Sequence, residues 1–290
     1  MTGKIIRGVG GFYYVYCTEN ERIYQCRARG LFRLDGRKPL VGDDVIFSET
    51  VDTDIGNSGQ IEELLERKNS LIRPEAANVD QALVLFAVKR PDPSLLLLDR
   101  FLIFLSLQNI PVILAFNKID LEPESIPYLT GIYEGAGHPI RFLSMKTGEG
   151  MEELHSMLEK KTTILAGPSG VGKSSLVNCL SGGKRMEVGA LSRKTGRGKQ
   201  TTRHTELLPI GEDSFLLDTP GFSSLYLTGI GKEALGGHYP EFSPCLGKCF
   251  YNDCSHRREP DCAVRDAVKQ GMIPRERYET YLQLYAECEV

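Results

Sequence analysis

Two loop-forming segments carry residues suited to holding a nucleoside triphosphate. Gly167-Pro168-Ser169-Gly170-Val171-Gly172-Lys173-Ser174 fits the pattern G-x-x-x-x-G-K-[ST], and Ser175 continues it toward a helix. The glycines let backbone N–H groups turn inward around phosphate oxygens, and the N-terminus of the following helix adds positive partial charge. Lys173 is placed to reach the β- and γ-phosphates, and Ser174 to ligate Mg²⁺. An apolar run from Thr162 to Ala166 precedes the loop, and Leu176, Val177 and Leu180 follow at helical spacing. That loop does not choose between bases. Asn117-Lys118-Ile119-Asp120 does. A carboxylate at Asp120 can accept from the ring N–H and the exocyclic amine of guanine. Adenine offers neither donor in that geometry and would leave a buried carboxylate unpaired, at a cost of about 1–3 kcal/mol. Asn117 is expected to tie this loop to the phosphate loop, and the Lys118 stem to cover the base. Ser144-Met145-Lys146 matches an S-A-K-type loop, whose backbone N–H reaches the guanine O6 whatever side chain stands in the middle.

Further elements suit the γ-phosphate. Asp218-Thr219-Pro220-Gly221 ends another apolar run and matches D-x-x-G. Asp218 is expected to hold a Mg²⁺-bound water and the Gly221 N–H to sense the γ-phosphate. Thr201 or Thr202 is expected to close on Mg²⁺, and the residues do not decide between them. Together these predict in-line attack of water on a γ-phosphate, slow in isolation because Phe222 stands where many such enzymes place a water-orienting Gln. The base-reading motif precedes the phosphate loop, so the usual order is cyclically permuted. Termini that lie close together in a compact domain allow such a reordering without disturbing the sheet.

A second kind of chemistry sits near the C-terminus. Cys249, Cys254, His256 and Cys262 give three sulfurs and an imidazole within a short polar segment. A closed tetrahedral set of this kind predicts one structural Zn²⁺. Cys245 lies near enough to compete with Cys249. Cys17, Cys26, Cys179 and Cys288 are scattered and read as structural.

The elements that must position these groups follow from texture. Residues 1–70 are β-rich, with runs at Tyr13–Tyr16, Ile23–Cys26 and Asp44–Phe47 broken by Gly10-Gly11, Asp35-Gly36 and Gly56-Asn57. A five-stranded OB-like barrel fits, and an SH3-like barrel competes with it. From 71 to 225, apolar strands at 82–88, 111–116, 140–144, 162–166, 206–210 and 214–218 alternate with helices near 94–108 and 151–160. This is an α/β pattern with a parallel sheet covered on both faces. Residues 226–290 read as a zinc-binding helical region whose last segment, Arg275 to Glu287, is amphipathic and packs on the core. Apolar content of 41% and charged content of 25% are those of a soluble globular chain. The start of the chain does not read as a signal peptide, and the apolar stretch Leu95–Leu107 is too short and too charged for a membrane span. A cytoplasmic location with no membrane partner is expected, and the eight cysteines are then reduced thiols or metal ligands.

On the motifs at 117–120, 167–174, 198–204 and 218–221 and the zinc cluster, the chain resembles the bacterial circularly permuted GTPases of small-ribosomal-subunit maturation, over essentially its whole length. The resemblance implies an OB-fold N-terminus, binding to the 30S subunit and 16S rRNA, GTP hydrolysis to GDP stimulated there, and a monomer. That family usually supplies a His just before the paired switch threonines. Here Gln200 stands in its place, with His204 as the alternative. Gln200 can position water but cannot act as a general base as an imidazole can. Arg203 is a candidate for a cis arginine. Net charge is −3, yet basic residues outnumber acidic ones seven to one from Lys184 to His204 and eight to three from Met1 to Lys38. The second stretch is interleaved with Tyr13, Tyr14, Tyr16, Tyr24 and Phe32, a composition suited to phosphate neutralisation and base stacking. The rival reading is a GTP-dependent RNA-binding switch with a non-ribosomal partner.

Overall fold

The computed structural model describes residues 1–29, 38–52, 56–181, 205–218 and 230–288. The chain divides into two compact units. One comprises 1–82, 153–166 and 173–222, the other 83–152, 167–172 and 223–290.

The first unit opens with a closed five-stranded barrel. β1 (Thr2–Val9), β2 (Phe12–Cys17) and β3 (Ile23–Ala28) form a meander. β4 (Asp44–Asp52) and β5 (Gly56–Leu64) complete the strand order β1-β2-β3-β5-β4. β3 and β5 run parallel, and β1 pairs with β4 to close the ring. That topology decides for the OB-like reading over the SH3-like one. Closure leaves no free edge inside the ring. The interior follows the two-residue period of the strands: Val15 and Cys17, then Tyr24 and Cys26, point inward to Ile5, Val45, Phe47 and Ile61. After the barrel, β6 (Ser70–Leu71) and β7 (Ala76–Ala77) form a short antiparallel pair. Asp43 is fully buried and takes a bidentate bond from Arg67, with Nε at 2.6 Å and Nη2 at 2.8 Å.

The same unit holds β11 (Thr162–Ala166), β12 (Glu206–Gly211) and β13 (Ser214–Asp218) in the order β11-β13-β12-β1. β11 and β13 are parallel, as expected. β12 is not: it leads into β13 through a tight hairpin and pairs antiparallel with both β13 and β1, Arg7 opposite Glu206. The sequence alternation could not reveal this, because a hairpin and a crossover share the same apolar strands. Helix Lys173–Leu180 follows the phosphate loop with Leu176 and Leu180 buried, while Cys179 is exposed and so does not fit the structural role expected of it.

The second unit carries β8 (Gln81–Ala87), β9 (Val112–Asn117) and β10 (Ile140–Leu143) in the order β10-β9-β8. β8 and β9 are buried throughout, which is why they read as unbroken apolar runs. Helix α1 (Leu95–Ser106) starts at a Ser94 cap whose hydroxyl accepts the Leu97 N–H. Helix α2 (Ser125–Tyr133) was not anticipated, since Pro127 and Gly131 mask its periodicity. The terminal helix, Arg275–Glu287, spans the expected residues and buries Tyr281, Leu284 and Tyr285 beside Leu235, Tyr239, Phe242 and Val264.

That terminal helix also delivers a charge to the interior. Arg277 is 2% exposed and pairs with Asp99 of α1 and with Glu241, both buried. Asp99 also accepts from Thr280 and, at 3.0 Å, from the Tyr133 hydroxyl. The guanidinium lies over the rings of Tyr133 and Tyr239. Removing the cation would strand two buried carboxylates. Arg277→Met is therefore expected to destabilise the second unit by about 3–5 kcal/mol in denaturant unfolding, whereas Arg275→Met, on the exposed face of the same helix, shifts the midpoint by less than about 1 kcal/mol.

Candidate nucleotide-binding and metal sites

The end of β9 places the base-reading motif. Asn117 is the last residue of that strand and is 3% exposed. Its Nδ2 donates to the Val171 carbonyl at 2.8 Å, and its Oδ1 accepts the Met145 N–H at 3.3 Å. One amide thus joins the 117–120 loop to the phosphate loop and to the 144–146 loop, as its position in the motif predicts. Lys118 takes a left-handed conformation, φ 67°, uncommon without a glycine. Its Nζ donates to the Gly170 carbonyl at 2.7 Å and to the Arg90 carbonyl. The Arg90 contact was not foreseen: a backbone acceptor leaves no mark in side-chain spacing.

Asp120 accepts from the Ser144 hydroxyl at 2.7 Å, and the exposed Lys146 ammonium lies 3.6 Å from its other oxygen. The Ser144 bond, with help from Lys146, holds the Asp120 carboxyl below its ordinary range, so it is ionised and can accept from two donors. Ser144 is fully buried, and its Oγ also receives the Thr147 N–H at 3.2 Å.

The phosphate loop shows why two of its glycines are required. At Gly167, φ is +139°, and an added Cβ would lie 2.0 Å from the Leu85 carbonyl oxygen. At Gly172, φ is +108°, and an added Cβ would lie 2.6 Å from Asn117 Nδ2. Any side chain there would break the Asn117 tie. Within the first unit, β11 pairs with β13 so that Leu165 stands opposite Asp218, and Lys173 opens the next helix. Burial lowers the Lys173 ammonium from its ordinary value, and Asp218 opposes that shift. Gln200, Thr201, Thr202, Arg203, His204, Gly221 and Phe222 lie outside the described residues, as does the whole basic stretch 184–204.

On the barrel, Tyr16 and Tyr24 are buried, which removes them from any stacking surface. Tyr13 is half-buried against the barrel core, and the half-buried rings of Tyr14 and Phe12 lie against the guanidinium groups of Arg7, at 4.0 Å, and Arg27, at 5.0 Å. Phe32 lies outside the described residues.

In the second unit, the ligand atoms of Cys249, Cys254, His256 and Cys262 lie within 4.8 Å of one another. His256 Nδ1 is 3.5 Å from Cys249 Sγ and 3.4 Å from Cys262 Sγ, and those sulfurs are 3.9 Å apart. A tetrahedral Zn²⁺ with ordinary bond lengths requires edges of about 3.5 Å for N···S and about 3.8 Å for S···S. The donor set therefore fits zinc in kind, and the Cys249, His256 and Cys262 donors also fit it in spacing. Burial lowers the His256 imidazole, favouring the neutral form that metals need. Cys245 is not in the cluster, which resolves its competition with Cys249. The loop is held by Glu259, which accepts the N–H groups of Ser255, Arg257 and Arg258 at 2.9–3.0 Å. The Tyr278 and Tyr281 hydroxyls donate to the carbonyls of His256 and Ser255, each at 2.7 Å. Among the described residues, no helix is long and apolar enough to cross a membrane.

Comparison with known proteins finds relatives over the full chain. The RsgA N-terminal domain family matches residues 2–56 and the RsgA GTPase family matches residues 64–228. The small ribosomal subunit biogenesis GTPase RsgA of Agathobacter rectalis is 48% identical, with 100% of this chain and 98% of that protein aligned. The protein of the same name from Alkaliphilus metalliredigens is 44% identical, over 99% and 97% of the two chains. Among solved structures, YloQ, described as a circularly permuted GTPase, superposes with a TM-score of 0.77 at 36% identity and covers 99% of this chain and 94% of its own. YjeQ from Thermotoga maritima gives 0.79 at 35% identity, covering 99% and 98%. With its permuted motif order, OB-like barrel and Cys₃His cluster, the chain belongs to the RsgA family of circularly permuted GTPases.

Proposed function

We propose that this GTPase acts in the cytoplasm on the small ribosomal subunit, in its late maturation, as a monomeric switch whose turnover the subunit stimulates. The relatives' name, small ribosomal subunit biogenesis GTPase, supports the partner. The observation that carries the nucleotide assignment is the Asn117 amide joining the base-reading loop to the phosphate loop. In this reading Asp120 accepts from guanine and the backbone of the 144–146 loop faces its O6. Lys118 covers the base, Lys146 backs Asp120, and residues 167–175 wrap the phosphates, with Lys173 as their cation. Ser174, Asp218 through water, and Thr201 or Thr202 hold Mg²⁺, which supplies charge neutralisation at the γ-phosphate. Gly221 senses that phosphate and Gln200 positions the attacking water. Functionally, residues 1–70 serve as the RNA-binding barrel contacting 16S rRNA, 71–225 as the permuted GTPase domain, and 226–290 as the domain held by one structural Zn²⁺.

Cosedimentation with purified 30S subunits tests the partner. Tighter binding with a non-hydrolysable GTP analogue than with GDP is expected, and equal binding in both states, or none, would remove the switch reading. Gln200→Ala should lower subunit-stimulated turnover about tenfold or more with nucleotide affinity unchanged. Unaltered turnover would reassign the water to His204 or to the partner. Metal analysis of the purified protein should give one zinc per chain. Cys254→Ser should lose it and lower the unfolding midpoint, while Cys245→Ser should retain it.

A further inference from the structure

We propose that Met145 is a positioning residue for guanine nucleotide binding, acting through its side chain as well as its N–H. The inference rests on the nucleotide reading above but concerns a side chain that the S-A-K pattern makes immaterial. The Asn117 amide is held by residue 145 at both ends. Its Oδ1 accepts the Met145 N–H at 3.3 Å, and its Nδ2, besides bonding Val171 O, faces Met145 Sδ at 3.7 Å. The orientation of the amide follows from these partners: Val171 O can only accept and the Met145 N–H can only donate, so the amide nitrogen must face the phosphate loop. The thioether then supplies a soft second acceptor for the remaining N–H of the amide.

The same sulfur fills the space beside Gly172. A Cβ built there would lie 3.5 Å from Sδ and 3.7 Å from Cε. The methionine thus packs where the phosphate loop and the Asn117 amide meet, and it is half-buried there. An alanine at 145 would keep the backbone bond but leave Nδ2 with a single acceptor and the Gly172 face uncovered. Met145 therefore fixes the three-loop arrangement before nucleotide arrives. Its contribution should appear in affinity rather than in the chemical step.

Fluorescent GDP and GTP-analogue titrations of the full chain test this. Met145→Ala should loosen both nucleotides by the same factor, roughly threefold to tenfold, with kcat at saturating GTP unchanged. The preference for GTP over ITP should also be unchanged, because the exocyclic amine is read by Asp120. Met145→Leu keeps the volume without the acceptor and should lie closer to the alanine variant than to the parent chain. In an Asn117→Ala background, Met145→Ala should add no further loss. Wild-type affinity in either single variant at 145, additive losses in the double variant, or a fall in kcat at unchanged affinity would each overturn the proposal. If the parent chain itself did not prefer GDP to ADP, the nucleotide reading would fail instead.

Discussion

A single buried carboxamide sets the geometry of the base-reading end of the nucleotide site. Asn117 reaches two other chain segments at once, and neither is near the other in sequence. Its amide nitrogen comes so close to Gly172 that the phosphate loop can carry no side chain there. Its oxygen takes the N–H of the 144–146 loop. The need for a glycine, the left-handed turn at Lys118 and the bond from Ser144 to Asp120 all describe the same junction. Each loop is irregular, and a buried irregular backbone must find partners for its polar groups. Much of that satisfaction comes from the motif side chains themselves. The motif is therefore a structural unit before it is a ligand site.

Much of this was legible in the sequence, for physical reasons that differ by element. The phosphate loop and N-K-x-D motif were readable because their residue types are dictated by atoms that must be met: phosphate oxygens by N–H groups, guanine donors by a carboxylate. The buried strands β8, β9 and β11 were readable because uninterrupted apolar runs have few other uses. The OB-like barrel was only half readable. The β-rich runs at Tyr13–Tyr16, Ile23–Cys26 and Asp44–Phe47 mark strands, but the closing pair β1–β4 depends on tertiary pairing that no local pattern records. The antiparallel return of β12 was hidden for the same reason. Arg90, Glu259 and the two tyrosine hydroxyls beside the metal ligands act through backbone groups, so their roles had no spacing to betray them.

The Cys₃His loop and the terminal helix form one mechanical piece. Tyr278 and Tyr281 bind backbone carbonyls of the ligand segment, while Arg277 on the same helix neutralises Asp99 of α1. Burying an arginine against two carboxylates brings no certain gain in stability over apolar packing. It does fix which groups meet, because a shifted helix would leave charges unpaired in a dry interior. Tyr133 and Tyr239 lie against the guanidinium, and Tyr239 in turn stacks on Phe242 and meets Tyr281 edge-on.

That pairing has a bearing on how the protein comes to exist. Asp99 is synthesised 178 residues before Arg277. Until the last helix leaves the ribosome, the α1 carboxylate has no buried cation to face and must remain hydrated or take up a proton. The polar pocket around Asp99 can therefore be completed only after Arg277 has been added to the chain.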